Sequence, residues 1–171
     1  MQIITNRFLL RPLKKADVTE RYLGWLADSS TNRFIETASA ISGRHALESY
    51  VAKLSNRDDV LFLGIFDAAS GEHIGNIKYE PIDLIKKYAV MGIMIGQSEW
   101  RGKGVAAEVI KSTAMWLKSE MELKEILLGV EKNNIRGISA YEKCGFRVSP
   151  SPKLINHLDN AVTMVLNLRC I

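Results

Sequence analysis

The spacing of hydrophobic and polar residues along the chain changes between a period of two and a period near four, and these changes mark strands and helices. Apolar runs or strict alternation predict strands at 8–13, 60–66, 73–79, 89–95, 125–130 and 162–168, with a further strand starting at Phe146. Helical spacing predicts four helices, which start at Asp17, Ser42, Val105 and Asn134. This order predicts an α/β (α+β) fold, in which helices flank a mixed, mainly antiparallel central sheet.

Local signals indicate where the helices begin and end. Asp17 and Glu20 have the spacing of a capping box, which predicts that the first helix starts at Asp17. Asn134 is suited to cap the last helix, and Gly145 is suited to end it in a left-handed conformation. Polar residues and prolines predict loops at 28–40 and 147–159.

Composition narrows the class of protein. A hydrophobic content of 47% and a charged content of 25% are typical of globular proteins, and 171 residues suit one domain over 1–171. No apolar run is long enough to span a bilayer, the N-terminus lacks a secretory signal, and Cys144 and Cys170 do not make a disulfide framework. We therefore expect a cytoplasmic protein without a membrane partner or a metal site. The net charge of +4 suits a polyanionic ligand but is too small to indicate nucleic acid.

The segment between the strand 89–95 and the next helix has the chemistry of an anion-binding turn. Gly102 and Gly104 allow the backbone to approach a phosphate, and the N–H groups at the start of a helix point towards it. Arg101 and Lys103 add positive charges. An ordinary strand-to-helix turn with solvated basic residues is the alternative.

Two other phosphate-binding loops fit less well. A Walker loop requires four residues between its first glycine and a Gly-Lys-Ser/Thr, and the chain has no such segment. A dinucleotide fingerprint tolerates Ala107 in its last position after Gly102 and Gly104. That fingerprint would open a series of parallel βαβ units, whereas the preceding strands here predict an antiparallel meander.

Two motifs resemble the signatures of the GNAT acetyltransferase superfamily. Arg101, Gly104 and Ala106 form Arg-x-x-Gly-x-Ala, which resembles its pyrophosphate-binding motif. Asn134 is followed seven residues later by Tyr-Glu-Lys-Cys-Gly-Phe, which resembles the second signature of the same superfamily. On both motifs, in this order and at this separation, the chain is identified as a member. The resemblance implies the acyl-CoA N-acyltransferase fold.

The resemblance further implies transfer of an acetyl group from acetyl-CoA to an amine. In such proteins the strand 89–95 separates from the strand 125–130, and the pantetheine arm lies in the gap. Backbone groups around Ile93 would bind the pantetheine amides, and one N–H would polarise the thioester carbonyl. The implied cofactor-binding residues are Gly92, Ile93, Met94, Ile95, Arg101, Gly102, Lys103, Gly104, Val105, Ala106, Asn134 and Tyr141.

Tyr141 is the candidate catalytic acid. A phenol with a pKa of about 10 is a workable proton donor to a departing CoA thiolate, whose proton affinity resembles that of a cysteine, with a pKa of about 8.5. A core tyrosine is the alternative, because Ile138, Tyr141 and Cys144 share one face of a short helix. The spacing from Asn134 to Tyr141 favours the catalytic role.

The base that deprotonates the acceptor amine is harder to identify. Many protein N-terminal acetyltransferases of the superfamily carry a Glu at the position that corresponds here to Gly129, so the usual base is missing. The candidates are Glu80 at a strand end and Glu36 in the loop after the first helix. Glu131 is expected to point to the other face, and His73 is expected to be exposed. A water chain to a backbone carbonyl is a further candidate.

Residues 9–36 resemble a branch of the superfamily that includes ribosomal-protein N-terminal acetyltransferases and enzymes that acetylate nucleotide-linked amino sugars. The resemblance to the branch rests on Leu-Arg-Pro-Leu at 10–13, Asp17 and the segments 22–28 and 32–36, and within these Trp-Leu-Ala-Asp at 25–28 and Asn-Arg-Phe at 32–34 resemble the nucleotide-sugar enzymes. Candidates for an acceptor pocket are Trp25, Phe34 and Tyr79, of which Trp25 and Phe34 equally suit a core. Candidates for acceptor phosphates are Arg33, Arg44 and Lys78, although basic residues on loops are usually solvated.

Three functions remain open. The first is a small-molecule N-acetyltransferase, with a nucleotide-linked amino sugar as the more specific form of the acceptor. The second is a peptide N-terminal acetyltransferase, against which Gly129 counts. The third is a non-catalytic acyl-CoA-binding protein, against which Tyr141 counts. The expected partners are acetyl-CoA and an amine acceptor, and the chain is expected to be a monomer or a homodimer.

Overall fold

The computed structural model describes residues 1–28, 41–154 and 160–171, which form one eight-stranded sheet and four α-helices. The strands are β1 (Ile3–Ile4), β2 (Phe8–Pro12), β3 (Leu61–Asp67), β4 (His73–Asp83), β5 (Tyr88–Ile95), β6 (Glu125–Glu131), β7 (Arg147–Val148) and β8 (Ala161–Asn167). The helices are α1 (Glu20–Ala27), α2 (Gly43–Ser55), α3 (Val105–Met121) and α4 (Ile135–Lys143).

The strand order across the sheet is β1-β2-β3-β4-β5-β6-β8-β7. Neighbouring strands are antiparallel except for β5 and β6, which are parallel because α3 carries the chain back between them. The predicted α/β (α+β) fold with a mixed, mainly antiparallel sheet is therefore confirmed. The strand predicted after Phe146 is β7, which pairs antiparallel with β8.

The two faces of the sheet carry different helices. On one face the strands pack against α3 around Ile110 and Leu117, which are fully buried. On the other face, side chains of β3 and β5 pack against α1 and α2 around Tyr22 and Leu47. Side chains alternate along a strand, so each residue of β4, β5 and β6 belongs to one of these two faces. We call them the α3 face and the α1/α2 face.

The start of α1 differs from the prediction. Thr19 is the N-cap, and its hydroxyl accepts a hydrogen bond from the N–H of Tyr22 at 3.3 Å. Asp17 does not cap this helix, because its carboxylate accepts hydrogen bonds of 2.7 and 2.8 Å from the guanidinium of Arg11. The capping-box prediction at Asp17 is therefore wrong by two residues.

The ends of α4 agree with the prediction. The side-chain oxygen of Asn134 accepts a hydrogen bond of 2.9 Å from the N–H of Gly137 and so caps the helix. Gly145 follows the helix with a φ of 95°, a left-handed conformation that favours glycine. Across the ranges that the structure describes, no helix is both long and apolar enough to cross a membrane.

Candidate active site

The parallel strands β5 and β6 separate after three residue pairs. Tyr88 pairs with Glu125, and the last pair joins Val90 to Leu127. Both strands continue beyond this point, β5 to Ile95 and β6 to Glu131, and within the described ranges they no longer pair. The backbone of β5 from residue 91 to 95 is therefore open on the side towards β6. This gap is where the resemblance implies the pantetheine arm.

The turn between β5 and α3 has the backbone geometry of a phosphate cradle. Gly102 and Gly104 are left-handed, with φ of 75° and 76°, and an ideal Cβ added to Gly102 would meet nothing within 4 Å. The first α-helical bond of α3 runs from the N–H of Glu108 to the carbonyl of Gly104 at 3.2 Å. The N–H groups of residues 105–107 precede it and have no intrahelical acceptor, so they open onto the turn. These residues fit the pyrophosphate of CoA.

Arg101 has a role that its charge did not indicate. Its guanidinium donates hydrogen bonds to the carbonyl of Ile95 at 3.0 Å and to the carbonyl of Gly96 at 2.9 Å, and it lies 3.9 Å from the carboxylate of Asp28. Arg101 therefore ties the cofactor turn to the end of β5. Only the fold reveals this contact, because the sequence does not indicate which carbonyls the side chain meets.

The first turn of α3 is also anchored to the N-terminal segment. The carboxylate of Glu108 accepts hydrogen bonds from the hydroxyl of Thr5 at 2.6 Å, the backbone N–H of Arg7 at 2.8 Å and the guanidinium of Arg7 at 2.7 Å. Burial alone would raise the pKa of Glu108, but the hydrogen bonds from Thr5 and Arg7 outweigh it and lower the pKa. No local sequence pattern indicates this contact, because it joins residues about a hundred positions apart.

Tyr141 is half-buried on α4 and packs against the core of the α3 face. Its ring centroid is 5.9 Å from that of Phe146. Burial and the nearby Cys144 thiol raise the pKa of Tyr141 to about 12. Within the described part of the chain its hydroxyl makes no hydrogen bond. The hydroxyl therefore stays protonated at neutral pH, which the predicted role of proton donor requires, and its raised pKa makes it a weaker acid than a free phenol.

Among the residues that the structure describes, the α1/α2 face leaves an opening beside the gap. Met94 points to this face, as does Asn76, whose side chain donates a hydrogen bond of 3.0 Å to the hydroxyl of Tyr22. Gly92 lies two residues before Met94 and therefore on the same face, where an ideal Cβ would meet nothing within 4 Å. An acceptor approaching from this face meets no side chain at Gly92.

Glu80, one of the predicted bases, lies inside β4 rather than at its end. Its carboxylate forms ion pairs with Arg57 and with Lys78, the latter at 2.7 Å. Lys78 also donates a hydrogen bond of 2.9 Å to the hydroxyl of Tyr50. Burial alone would raise the pKa of Glu80, but Lys78 and Arg57 outweigh it and lower the pKa. This network disfavours Glu80 as a proton acceptor.

His73 is buried, with 8% of its surface exposed, so the expectation of an exposed histidine is wrong. Its ring stacks on Phe66 at 4.8 Å and lies edge-on to Trp25 at 5.0 Å and Tyr22 at 5.3 Å. Burial lowers the pKa of His73 to about 4. Its ring nitrogens make no hydrogen bond within the described ranges. The imidazole is therefore a neutral part of the aromatic packing.

Of the residues predicted to bind the acceptor, two are buried in the core and Arg44 is held in an ion pair. Trp25 is core, with 5% exposed, and Tyr79 is fully buried on the α3 face with its hydroxyl 2.7 Å from that of Thr113. The prediction that Tyr79 lines an acceptor pocket is wrong. Arg44 is engaged by Glu20 at 2.6 Å. Two further candidates for acceptor binding, Arg33 and Phe34, lie outside the described residues, as does the candidate base Glu36.

Glu131 points to the same face of the sheet as Gly129, so the expectation that it points to the other face is wrong. Ile126, Leu128 and Val130 of β6 belong to the core of the α3 face, so the intervening residues point to the α1/α2 face. Glu131 therefore shares a face with Gly129 rather than pointing away from it. The expectation overlooked that the two residues are two apart, which is the period of a strand.

A cavity of about 900 Å³ adjoins the cradle between α3 and α4. Its lining combines apolar residues with lysines. Its lining residues include Ala107, Lys111, Ala114, Lys143, Cys144 and Leu166. It extends from the first turn of α3 away from the gap, so it neighbours the cofactor site and does not contain Gly92 or Tyr141.

Known structures share this fold. The spermidine N-acetyltransferase of Vibrio cholerae, solved with CoA and spermine, has a TM-score of 0.80 at 21% identity and covers 95% of this chain and 96% of its own. The ribosomal L7/L12 α-N-protein acetyltransferase RimL, solved with CoA, has a TM-score of 0.82 at 12% identity, with 98% of each chain covered. The microcin C7 self-immunity acetyltransferase MccE, solved with acetyl-CoA and AMP, has a TM-score of 0.79 at 14% identity, with 95% and 93% covered.

Residues 7–147 match the sequence profile of the family described as acetyltransferase (GNAT) domain. The match includes the cradle, the gap and both motifs, and the related structures were solved with CoA or acetyl-CoA. The chain belongs to the GNAT family and is an N-acetyltransferase with acetyl-CoA as its co-substrate.

Proposed function

We propose that this enzyme acetylates a primary amine of a small molecule that carries an anionic group, with a nucleotide-linked amino sugar as the specific form. The observation that carries this proposal is the charge network beside the opening. Burial alone would lower the pKa of Lys78, but its hydrogen bonds to Glu80 and Tyr50 outweigh burial and raise the pKa, so Lys78 stays charged. Lys78 pairs with Gly92 across β4 and β5, so its ammonium lies beside the opening and can donate a hydrogen bond to an anionic group of the acceptor.

The chain's own groups supply the chemistry around the acetyl donor. The N–H groups at the start of α3 hold the pyrophosphate, aided by the charge of Lys103, and Arg101 keeps the turn in place. The open backbone of β5 from Gly92 to Ile95 binds the pantetheine arm, with Asn134 beside it. A backbone N–H near Ile93 polarises the carbonyl. Tyr141 gives its proton to the departing thiolate.

Two other acceptor classes and a non-catalytic role have weaker support. The fold is shared with a spermidine N-acetyltransferase, but Glu80 pairs with Lys78 and Arg57, and Asp59 pairs with Arg57, so this network beside Gly92 has no net negative charge to hold a polyamine. The fold is also shared with RimL, but the carboxylate that many protein N-terminal acetyltransferases carry is replaced by Gly129. A non-catalytic acyl-CoA-binding role leaves the hydroxyl of Tyr141 without a purpose.

The cellular setting follows from the same proposal. We infer that the enzyme works in the cytoplasm, where acetyl-CoA is available, as a monomer or a homodimer over a single domain of residues 1–171. Its partners are then acetyl-CoA and the amine acceptor, without nucleic acid or membrane. Light scattering of the purified chain at several concentrations distinguishes the two oligomeric states.

The test is an acceptor panel with acetyl-CoA. It contains a uridine-diphosphate-linked amino sugar, spermidine, and short peptides that begin with Ala or Ser. Products are followed by mass, because the free thiols of Cys144 and Cys170 give background with thiol reagents. We expect the nucleotide-linked amine to have the highest kcat/KM. A preference for spermidine or a peptide contradicts the proposal.

A matched variant tests the role of Lys78. Lys78→Gln keeps a hydrogen-bonding side chain and removes the charge. We expect kcat/KM for the anionic acceptor to fall at least about tenfold, while an uncharged alkylamine of similar length is affected little. Equal losses for both acceptors would mean that Lys78 only supports the fold of this region.

A further inference from the structure

Glu131 lies on β6 at the gap between β5 and β6, on the α1/α2 face from which an acceptor can approach. Counting on from the last pair, Val90 with Leu127, Gly92 comes opposite Gly129 and Met94 comes opposite Glu131 across the gap. Two residues without side chains, Gly92 and Gly129, therefore lie on the α1/α2 face at the two sides of the gap. Glu131 is the next residue of β6 on that face, beside the stretch of β5 that binds the pantetheine arm.

The backbone of Glu131 is held in place from two sides. It pairs with Ala161 of β8, and its carbonyl accepts a hydrogen bond of 2.9 Å from the N–H of Asn134. Asn134 is itself fixed as the cap of α4. The backbone that carries this carboxylate is therefore positioned in part by Asn134, a residue of the implied cofactor site.

The carboxylate of Glu131 is half-buried, and within the described ranges it has no ion pair and no hydrogen bond. Glu80, on the same face, is held by Lys78 and Arg57. Glu125, on the same strand and the same face, is paired with Lys153. Of these three carboxylates, Glu131 alone has its acceptor atoms available for an incoming ammonium group.

We propose that the carboxylate of Glu131 binds the acceptor ammonium and takes its proton, an inference that rests on the proposed acetylation of an amine. The nitrogen lone pair then forms the C–N bond at the thioester carbonyl carbon, and the C–S bond breaks. The thiolate takes the proton of Tyr141, and the second proton lost by the nitrogen restores the phenol. Glu131 releases its proton to solvent, so the products are an amide, CoA thiol and one proton.

Ligand binding tests this assignment without knowledge of the natural acceptor. S-(2-aminoethyl)-CoA and S-ethyl-CoA differ only by an ammonium group close to where the acceptor nitrogen lies. We expect calorimetry to show at least about tenfold tighter binding of the aminoethyl ligand by the wild type. This preference should disappear in Glu131→Gln and persist in Glu125→Gln, the matched control on the same strand and face.

The outcomes of this binding experiment distinguish an error in the assignment of Glu131 from an error in the proposed acceptor. Equal affinity of S-ethyl-CoA for all three proteins shows that the cofactor site is intact. A preference that survives in Glu131→Gln, or that is missing in the wild type, overturns the inference. If the preference depends on Glu131 while the nucleotide-linked amine is not acetylated, then Glu131 is supported and the proposed acceptor is wrong.

A kinetic measurement gives a second, independent result. For any amine that the wild type acetylates, we expect Glu131→Gln to lower kcat/KM about 100-fold at pH 7. The loss should shrink as the pH rises, because a larger fraction of the amine is then already deprotonated. A loss that is the same at every pH indicates a structural effect and contradicts the assignment.

Discussion

The environment of Tyr141 fixes the protonation state of its hydroxyl. With a pKa of about 12, the phenol stays protonated throughout the range in which enzymes are usually assayed, so its ability to donate a proton does not fade at moderately alkaline pH. We predict that Tyr141→Phe lowers kcat about 100-fold and leaves the Kd for CoA nearly unchanged. Product mass measures the first quantity and calorimetry the second.

Two results would contradict this view of Tyr141. One is a Tyr141→Phe variant with the turnover of the wild type. The other is a wild-type activity that falls between about pH 8 and 10 through a titration that Tyr141→Phe removes, because the raised pKa places titration of this phenol above that range.

Arg101 can contribute to CoA binding by holding the turn in place or by its positive charge, and substitutions distinguish the two. Its guanidinium holds the carbonyls of Ile95 and Gly96, and a lysine amine lacks the planar fork that reaches both. We therefore predict that Arg101→Lys and Arg101→Gln weaken CoA binding by similar factors, about tenfold each. The control is Lys103→Gln, which removes an exposed charge from the same turn. If Arg101→Lys retains wild-type affinity, charge alone explains the residue.

At the scale of elements, α1 depends on a buried histidine that must stay neutral. An unfolded histidine has a pKa near 6.5, whereas burial lowers that of His73 to about 4, with the charges of Arg11 and Arg21 acting in the same direction and that of Asp17 against it. Between these values the unfolded chain binds a proton that the folded chain does not. The free energy of unfolding therefore falls as the pH drops from about 6.5 to about 4, by about 3 kcal/mol.

Denaturant unfolding at several pH values checks this prediction. We expect His73→Phe, which keeps a ring on Phe66, to lose most of the pH dependence in this window. The control His45→Gln, an exposed position on α2, should keep it. An unchanged slope in His73→Phe would show that other groups cause the acid destabilisation.

The elements that the sequence predicts well are the long ones with a clear period. β5, α3, β6 and α4 were predicted, and so was the cradle, because the glycines and the helix start that build it are adjacent in sequence. β1 spans only two residues, which is too short for a period to be detected. The start of α1 differs from the prediction because Asp17 accepts hydrogen bonds from Arg11, a contact that no local pattern indicates.

The parts of the site that were not predicted depend on contacts between distant segments. The ion pairs of Glu80 with Arg57 and Lys78 weaken a predicted base, and no local pattern indicates that Arg57 reaches β4. The anchoring of Glu108 by Arg7 joins opposite parts of the chain. Sequence patterns thus indicate which chemical groups are present, while the sheet order determines which of them meet.

At the scale of the whole molecule, cofactor binding and folding are linked, because a ligand that binds only the folded chain stabilises all of it. At a concentration of about 100 times its Kd, acetyl-CoA adds about 2.7 kcal/mol, which raises the Tm of a chain of this size by about 5–10 °C. Gly104→Glu should abolish this rise, because its carboxylate competes with the pyrophosphate for the N–H groups that begin α3.

The control for this prediction is Gly104→Gln, which has the same shape without the charge. Both substitutions place a side chain at a φ of 76°, so both should lower the Tm of the free protein by a similar amount. Because that strain is common to the two variants, the difference between their acetyl-CoA-induced rises in Tm measures the effect of the added negative charge, including its contact with the Arg7 guanidinium, which lies 3.8 Å from an ideal Cβ at this position. A rise in Gly104→Glu equal to that of the wild type would mean that the phosphates bind elsewhere.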